Sequence, residues 1–259
     1  MSKSLPIQWP AEAIWEAVSP SFPTFSVEIL PQIDSTNSEL MRRARDGQTE
    51  PILLVAESQT AGRGRLGRDW LSQGASTPAL TFSIGLPLNM ADWSGLSLAV
   101  GVSVARSLHP SLQLKWPNDV WFEGRKLAGI LIETVNIGST RYAVIGVGLN
   151  IGPRDAAGLS TPPACLQELL PGIDAPQALL RIAAPLVQAV QSFEVQGLAP
   201  FLKTFAERDV LAGRAVTLSD GTHGHAQGVD ASGALLVHTD AGLKKVSSAE
   251  VSVRPASPC

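Results

Sequence analysis

Ile52-Leu53-Leu54-Val55-Ala56, followed by Gly62-Arg63-Gly64-Arg65-Leu66-Gly67-Arg68-Asp69-Trp70, decides how this chain is read. The first run is a short, fully apolar strand between Pro51 and Glu57. The second satisfies Gly-x-Gly-x-x-Gly at Gly62, Gly64 and Gly67. That pattern marks a dinucleotide fold only where its turn opens the crossover helix of a βαβ unit. Here Asp69-Trp70-Leu71-Ser72-Gln73-Gly74 follows, too short and polar for such a helix, and three arginines would crowd a pyrophosphate. The doubly wound parallel fold is therefore set aside. An anion-binding loop is favoured instead, with glycines freeing backbone N–H groups and Arg63, Arg65 and Arg68 neutralising charge. The bland alternative is a solvated surface loop.

Around this loop the pattern is mixed. Strands are expected at Phe25–Leu30, Leu80–Leu86, Leu112–Trp116, Val120–Phe122, Lys126–Thr134 and Tyr142–Leu149, with Glu123-Gly124-Arg125 as a hairpin turn. Thr36 and Glu39 fit a capping box for a helix ending near Gly47. Leu96, Val100, Val104 and Leu108 place a helix within Trp93–His109. Residues 152–175 read mostly as loop. Pro176–Gly197 reads as a helix broken or kinked at Pro185, and Ala199–Arg208 as another. After about Val210 come five short alternating runs, Ala215–Leu218, Ala226–Val229, Ala234–His238, Leu243–Val246 and Val251–Val253, the spacing of a small β-barrel. Two units are expected, 1–209 and 210–259.

Composition narrows the classes. With 259 residues, 44% apolar and 17% charged, the chain builds a core and is neither disordered nor fibrous. A net charge of -3 argues against nucleic acid as a partner. Cys165 and Cys259 form no CxxC pair, so neither a disulfide framework nor a zinc site is expected. Met1–Pro10 has no apolar run, and no stretch of about 18 apolar residues occurs. No signal peptide, no membrane and a cytoplasmic location are the expectation.

Four further clusters could carry chemistry. Ser35-Thr36-Asn37 is either ordinary helix capping or a cup of short hydrogen-bonding groups for a neutral polar head, with Gln59 adding a donor and acceptor. Lys115-Trp116-Pro117-Asn118-Asp119 and Lys126-Leu127-Ala128-Gly129 either line a pocket mouth or form a plain hairpin. Gly146-Val147-Gly148-Leu149-Asn150 marks close approach of a ligand or of a packed helix. His223-Gly224-His225 reads as an exposed hairpin turn, since no third ligand is near for a metal.

Taken in chain order, Ser35-Thr36-Asn37, Gly62–Arg68, Lys115–Asp119, Lys126–Leu131 and Gly146–Asn150 resemble the biotin protein ligases, with the likeness running from about Ile33 to Val253. The resemblance implies an α+β chain: a mixed α/β catalytic domain of the class II synthetase-like, biotin–lipoate ligase fold, then an SH3-like barrel. It implies that biotin and ATP give biotinyl-5′-AMP, and that biotin then passes to one lysine of a biotin carboxyl carrier protein. It places Ser35, Thr36, Asn37, Gln59, Arg63, Gly64, Arg65 and Lys126 on biotin, and Gly62, Arg63, Arg68, Asn118 and Asn150 on ATP or the adenylate. It assigns catalysis to Lys126 and Arg65, with Asp119 as a Mg²⁺ ligand, and it implies a homodimer. Two departures stand out. About thirty residues precede Ser35, too few for the N-terminal DNA-binding domain of the repressor members, so single-function ligation without DNA binding is expected. Some relatives carry a tryptophan against adenine where this chain has Pro162-Pro163-Ala164-Cys165. The rival readings are a lipoate or octanoate ligase and a biotin-responsive repressor.

Overall fold

The computed structural model describes residues 7–70, 78–90, 92–138, 140–155, 161–247 and 253–255. Helix α1 (Ala11–Val18) precedes β1 (Ser26–Leu30), α2 (Thr36–Arg45) and β2 (Ile52–Ala56). Then come β3 (Ala79–Leu88), α3 (Leu96–Leu108), β4 (Gln113–Lys115), β5 (Asp119–Phe122), β6 (Arg125–Ile137) and β7 (Thr140–Asn150). Helices α4 (Ala175–Gln196) and α5 (Ala199–Arg208) lead to β8 (Ala215–Leu218), β9 (His223–Val229), β10 (Leu235–Thr239), β11 (Gly242–Val246) and β12 (Val253–Pro255).

The first seven strands form one sheet in the order β1-β2-β3-β7-β6-β5-β4. Only β1 and β2 pair in parallel, with α2 as their crossover; every other neighbour is antiparallel. Because side chains alternate along each strand, the sheet has two faces. Phe82, Ile145, Leu149 and Ala128 join the main core with Val100 and Val104 of α3 and Ile182 and Leu186 of α4. On the other face Leu54, Tyr142 and Val144 pack under Leu40, Met41 and Ala44 of α2. Helix α2 covers only part of that face, and the uncovered part is the floor of a cavity.

Several local expectations are corrected. The cap of α2 is Ser35, whose side chain accepts from the Ser38 N–H, and not Thr36, whose hydroxyl turns inward. Helix α3 starts at Leu96, after Gly95 at φ 84. Residues Pro176–Gly197 do not split: α4 is one helix, capped by a reciprocal Asp174–Gln177 pair. Pro185 removes one backbone donor there, but Ile182, Ala183, Leu186 and Val187 are all buried around it, and that packing holds both sides in one helix. His223-Gly224-His225 opens β9 instead of lying in a turn. A Cβ on Gly224 would fall 2.4 Å from the His238 carbonyl oxygen, so the glycine admits the neighbouring strand. Leu71–Gly74, Val251 and Cys259 lie outside the described residues.

The last five strands form a separate antiparallel sheet, β11-β10-β9-β8-β12, consistent with an SH3-like fold. It is tied to the first sheet by Trp116, which is fully buried and donates Nε1–H to the Gly233 carbonyl at 3.0 Å. Gly233 in turn packs against Gly95 and Leu198. Trp116→Phe keeps one aromatic ring but removes the indole's second ring and deprives a buried carbonyl of this donor. It is expected to lower unfolding free energy by about 1–3 kcal/mol at unchanged m-value. Urea unfolding checks this, and an unmoved midpoint would refute the coupling.

Candidate active site

The cavity holds about 220 Å³, and Leu131, Gly146, Thr81, Gly148, Gly129, Asp119 and Lys115 of two rows of paired residues line it. One row runs Leu54, Ser83, Gly146, Leu131 and the next Ala56, Thr81, Gly148, Gly129, Asp119, Lys115. Side chains beside the glycines occupy the space their missing Cβ atoms leave. A Cβ on Gly146 would lie 2.0 Å from Asn37 Oδ1, and one on Gly148 would lie 2.3 Å from Cε2 of Trp70. Of the flagged pair Ala128-Gly129, only Gly129 faces the cavity; Ala128 is in the core.

At one end Ser35, Thr36, Asn37 and Gln59 are all buried and form the expected cup. Gln59 Oε1 accepts from the Thr36 N–H at 2.7 Å and from Thr36 Oγ1 at 3.2 Å. Ser83 Oγ lies 2.7 Å from Thr36 Oγ1 and 2.6 Å from Asn37 Oδ1, and its one proton can serve only one of them. The Ser35 N–H donates to Asp34, whose carboxylate Arg42 grips with both terminal nitrogens at 2.7 and 2.9 Å. That fork holds the Asp34 carboxyl below its ordinary range.

The basic loop folds back on itself. Gly64 N–H donates to Arg68 O at 2.6 Å, and Trp70 N–H to Gly62 O at 2.8 Å. Exposed Leu66 forms its tip at φ 55, a left-handed conformation unusual for a branched side chain. The three arginines do different things. Arg63 reaches Glu133, 3.1 Å away. Arg65 points inward, where NH1 donates to Asn118 Oδ1 at 3.2 Å and burial lowers its pKa. Arg68 lines the cavity. Gly62 does not line it: a Cβ there would strike the Trp70 carbonyl oxygen at 2.3 Å, so this glycine serves the loop's closure.

Lys126 and Asp119 meet at the opposite end, Nζ to Oδ1, at 2.7 Å. Plain alternation from Gly129 and Leu131 would turn Lys126 away from the cavity. A register shift between Val120 and Trp121 leaves Leu127 unpaired and sets Lys126 opposite Trp121, which aims it at Asp119. Asn118 spends its Nδ2 on the Ile130 carbonyl. Asn150 donates to Ala164 O at 3.0 Å and accepts from Arg154 NH1 at 3.0 Å, so it braces the cavity wall. Arg154 lies 6.0 Å from the Trp70 ring centroid, with its pKa lowered by burial. Ser83, Glu133, Arg154 and the place of Trp70 were not assigned from sequence. Thr81 and Ser83, polar at alternate positions in the otherwise apolar Leu80–Leu86, were the available signal.

Residues 29–150 match the Biotin/lipoate A/B protein ligase family and residues 211–254 the Biotin protein ligase C terminal domain. The chain is 35% identical over 241 residues to the bifunctional ligase/repressor BirA of Escherichia coli K12, covering 89% of this chain and 75% of that protein. It is 32% identical over 246 residues to the biotin--[acetyl-CoA-carboxylase] ligase of Paracoccus denitrificans, covering 86% and 98%. This chain belongs to the biotin protein ligase family. The biotin protein ligase from Aquifex aeolicus, solved in complex with biotin and ATP, superposes with a TM-score of 0.75 at 29% identity, covering 89% of this chain and 99% of that one.

Two predictions concern the cup of this ligase. Gly146→Ala must displace the Asn37 carboxamide, and calorimetric titration with biotin is expected to show affinity lower by about tenfold or more, the scale of about 1–2 lost hydrogen bonds. Asp34 adds an acid-sensitive increment. Its native pKa is depressed, so its contribution is complete above the unfolded carboxylate pKa near 4 and is lost as pH falls through the native value. Asp34→Asn is expected to flatten the decline of the melting midpoint below about pH 4.

Proposed function

We propose that this cavity joins biotin to ATP and passes the biotinyl group to one lysine of the carrier domain of acetyl-CoA carboxylase. The observation that carries the reading is a neutral polar cup and a cationic corner, Arg65 with Lys126, in one cavity. The cup suits a ureido ring, held by Ser35, Thr36, Asn37 and Gln59, with Arg63 and Gly64 closing over it. The carboxylate tail then lies toward Lys126.

The biotin carboxylate oxygen attacks the α-phosphorus, the bond to the bridging oxygen breaks, and pyrophosphate leaves. Two anions must meet for this, so Lys126 and Arg65 act by offsetting their repulsion and stabilising the charge that builds up in transfer. We assign Arg68, Asn118 and Asn150 to the nucleotide side, and Gly62 to the turn that shapes the loop. The acceptor lysine's amine then attacks the acyl carbon and AMP leaves. Closure of the loop would keep water from the mixed anhydride.

No group of three or more His, Cys, Asp or Glu able to hold a metal occurs among the described residues. A magnesium ion that arrives on the triphosphate and keeps most of its own ligands needs only one protein carboxylate, and Asp119 fits that part. Such an ion would supply charge neutralisation for the departing pyrophosphate. Residues 1–209 are the catalytic unit in this reading and 210–259 the barrel. A homodimer is the assembly it implies; light scattering with and without biotin and ATP reads it. No helix among the described residues is long and apolar enough to cross a membrane.

ATP–pyrophosphate exchange, run with biotin, lipoate and octanoate, is the test. Exchange dependent on biotin alone is expected; exchange with lipoate or octanoate instead moves the substrate to the rival acid. Lys126→Ala is expected to cut the exchange rate by about 10²–10³, the scale of one lost transition-state contact, with the fold intact by circular dichroism. Near-normal exchange would remove Lys126 from the chemistry.

A further inference from the structure

Glu133 has no part in the chemistry above, yet it touches both halves of the biotin site. It follows Gly129 and Leu131 on the cavity face of β6, and its side chain is about one-fifth exposed (22%). Its Oε2 accepts from Asn37 Nδ2 at 3.0 Å. Its Oε1 lies 3.1 Å from Arg63 NH2, and Arg63 NH1 approaches Oε2 at 3.5 Å. One carboxylate is thus shared by the cup and the basic loop.

Each contact has its own consequence. Asn37 Nδ2 also donates to the Leu131 carbonyl at 3.2 Å, while Oδ1 takes Ser83. With two acceptors on its nitrogen side, the amide is fixed in one of its two flips, and the cup's donor and acceptor positions follow from that. Arg63 is about half exposed (49%) and sits on the loop, away from the sheet. Its guanidinium finds one carboxylate fork on the sheet, and that fork is the same group that orients Asn37. A half-exposed ion pair is worth little to global stability, but it is enough to bias a loop between closed and open positions.

We infer that Glu133 is a positioning residue which latches the basic loop to the biotin cup and so sets how fast biotin and its adenylate leave. The inference rests on the biotin reading of the cavity. It assigns to Glu133 a control of residence time instead of a part in bond making.

The test is biotin dissociation from the full chain, followed by stopped-flow tryptophan fluorescence with Trp70 in the cavity as reporter, at several salt concentrations. E133Q keeps the shape and a partner for one side but loses the charge. It is expected to release biotin about three- to tenfold faster at low salt, while the exchange rate at saturating biotin stays within about twofold. Wild-type release is expected to quicken with salt as the latch is screened, and E133Q release to be insensitive to it. E133D, still charged but shorter, is expected to fall between the two. Arg63→Gln removes the other half of the latch and must produce the same loss of salt dependence; because Arg63 also closes over the ring, this variant is read by its salt dependence and not by its release rate. Melting curves establish that each variant is folded; should E133Q not fold, Arg63→Gln carries the test alone. Wild-type release rates and salt dependence in the folded variants would overturn the latch while leaving biotin-dependent exchange in place. Absence of that exchange in the wild-type chain would overturn the functional reading and the latch together.

Discussion

A strip of the sheet without side chains is the constraint on which the site depends. Gly146, Gly148 and Gly129 lie on one face of adjacent strands, in register, and nothing of their own fills the space above them. Asn37 descends onto Gly146 and Trp70 lies over Gly148 and Gly129, close enough that a methyl group at either of the first two would collide. The cup and the loop can therefore approach the same floor from opposite sides. The sheet tolerates the weakening these glycines bring because its other face is packed continuously against α3 and α4.

Placing cations in such a cavity is costly, since burial disfavours charge, and the Arg65 and Arg154 pKa values are lowered accordingly. The chain compensates unevenly. Lys126 has Asp119, Arg63 has Glu133, and Arg65 leans on the neutral Asn118 carbonyl. The inward Arg65 feels the Asp119 carboxylate as well, and burial nevertheless lowers its pKa. The outward arginine is balanced on the protein itself, which suits a closure. The different contacts of the two arginines follow from which side of the loop each side chain leaves.

The barrel is part of the same arrangement. Trp116 stands immediately before Pro117, Asn118 and Asp119, and its indole nitrogen is anchored on Gly233 in the turn between β9 and β10 of the last sheet. Val253 also lines the cavity. The small sheet therefore bears on the corner that carries Asn118 and Asp119, and a glycine is required at 233 because Gly95 and Leu198 crowd it.

Much of this was open to reading residue by residue. Strands at Ile52–Ala56, Val120–Phe122 and Tyr142–Leu149, the hairpin at Glu123-Gly124-Arg125 and the five-run tail are all local signals, carried by alternation and turn residues that act over a few positions. The cup, the basic loop and Lys126 are short runs too, but each alone reads also as helix capping, a solvated loop or a plain hairpin, and only their order along the chain and the resemblance it carries single them out. What only the tertiary structure decided depends on register between distant segments. The unpaired Leu127 turns Lys126 toward Asp119, against the alternation of its own strand. Burial on its flanks keeps α4 whole through Pro185. Glu133 meets Asn37 and Arg63 across separations of 96 and 70 positions, a meeting no local pattern can announce. Local propensity sets which residues form an element, whereas strand pairing and packing across the sheet set which of them face one another.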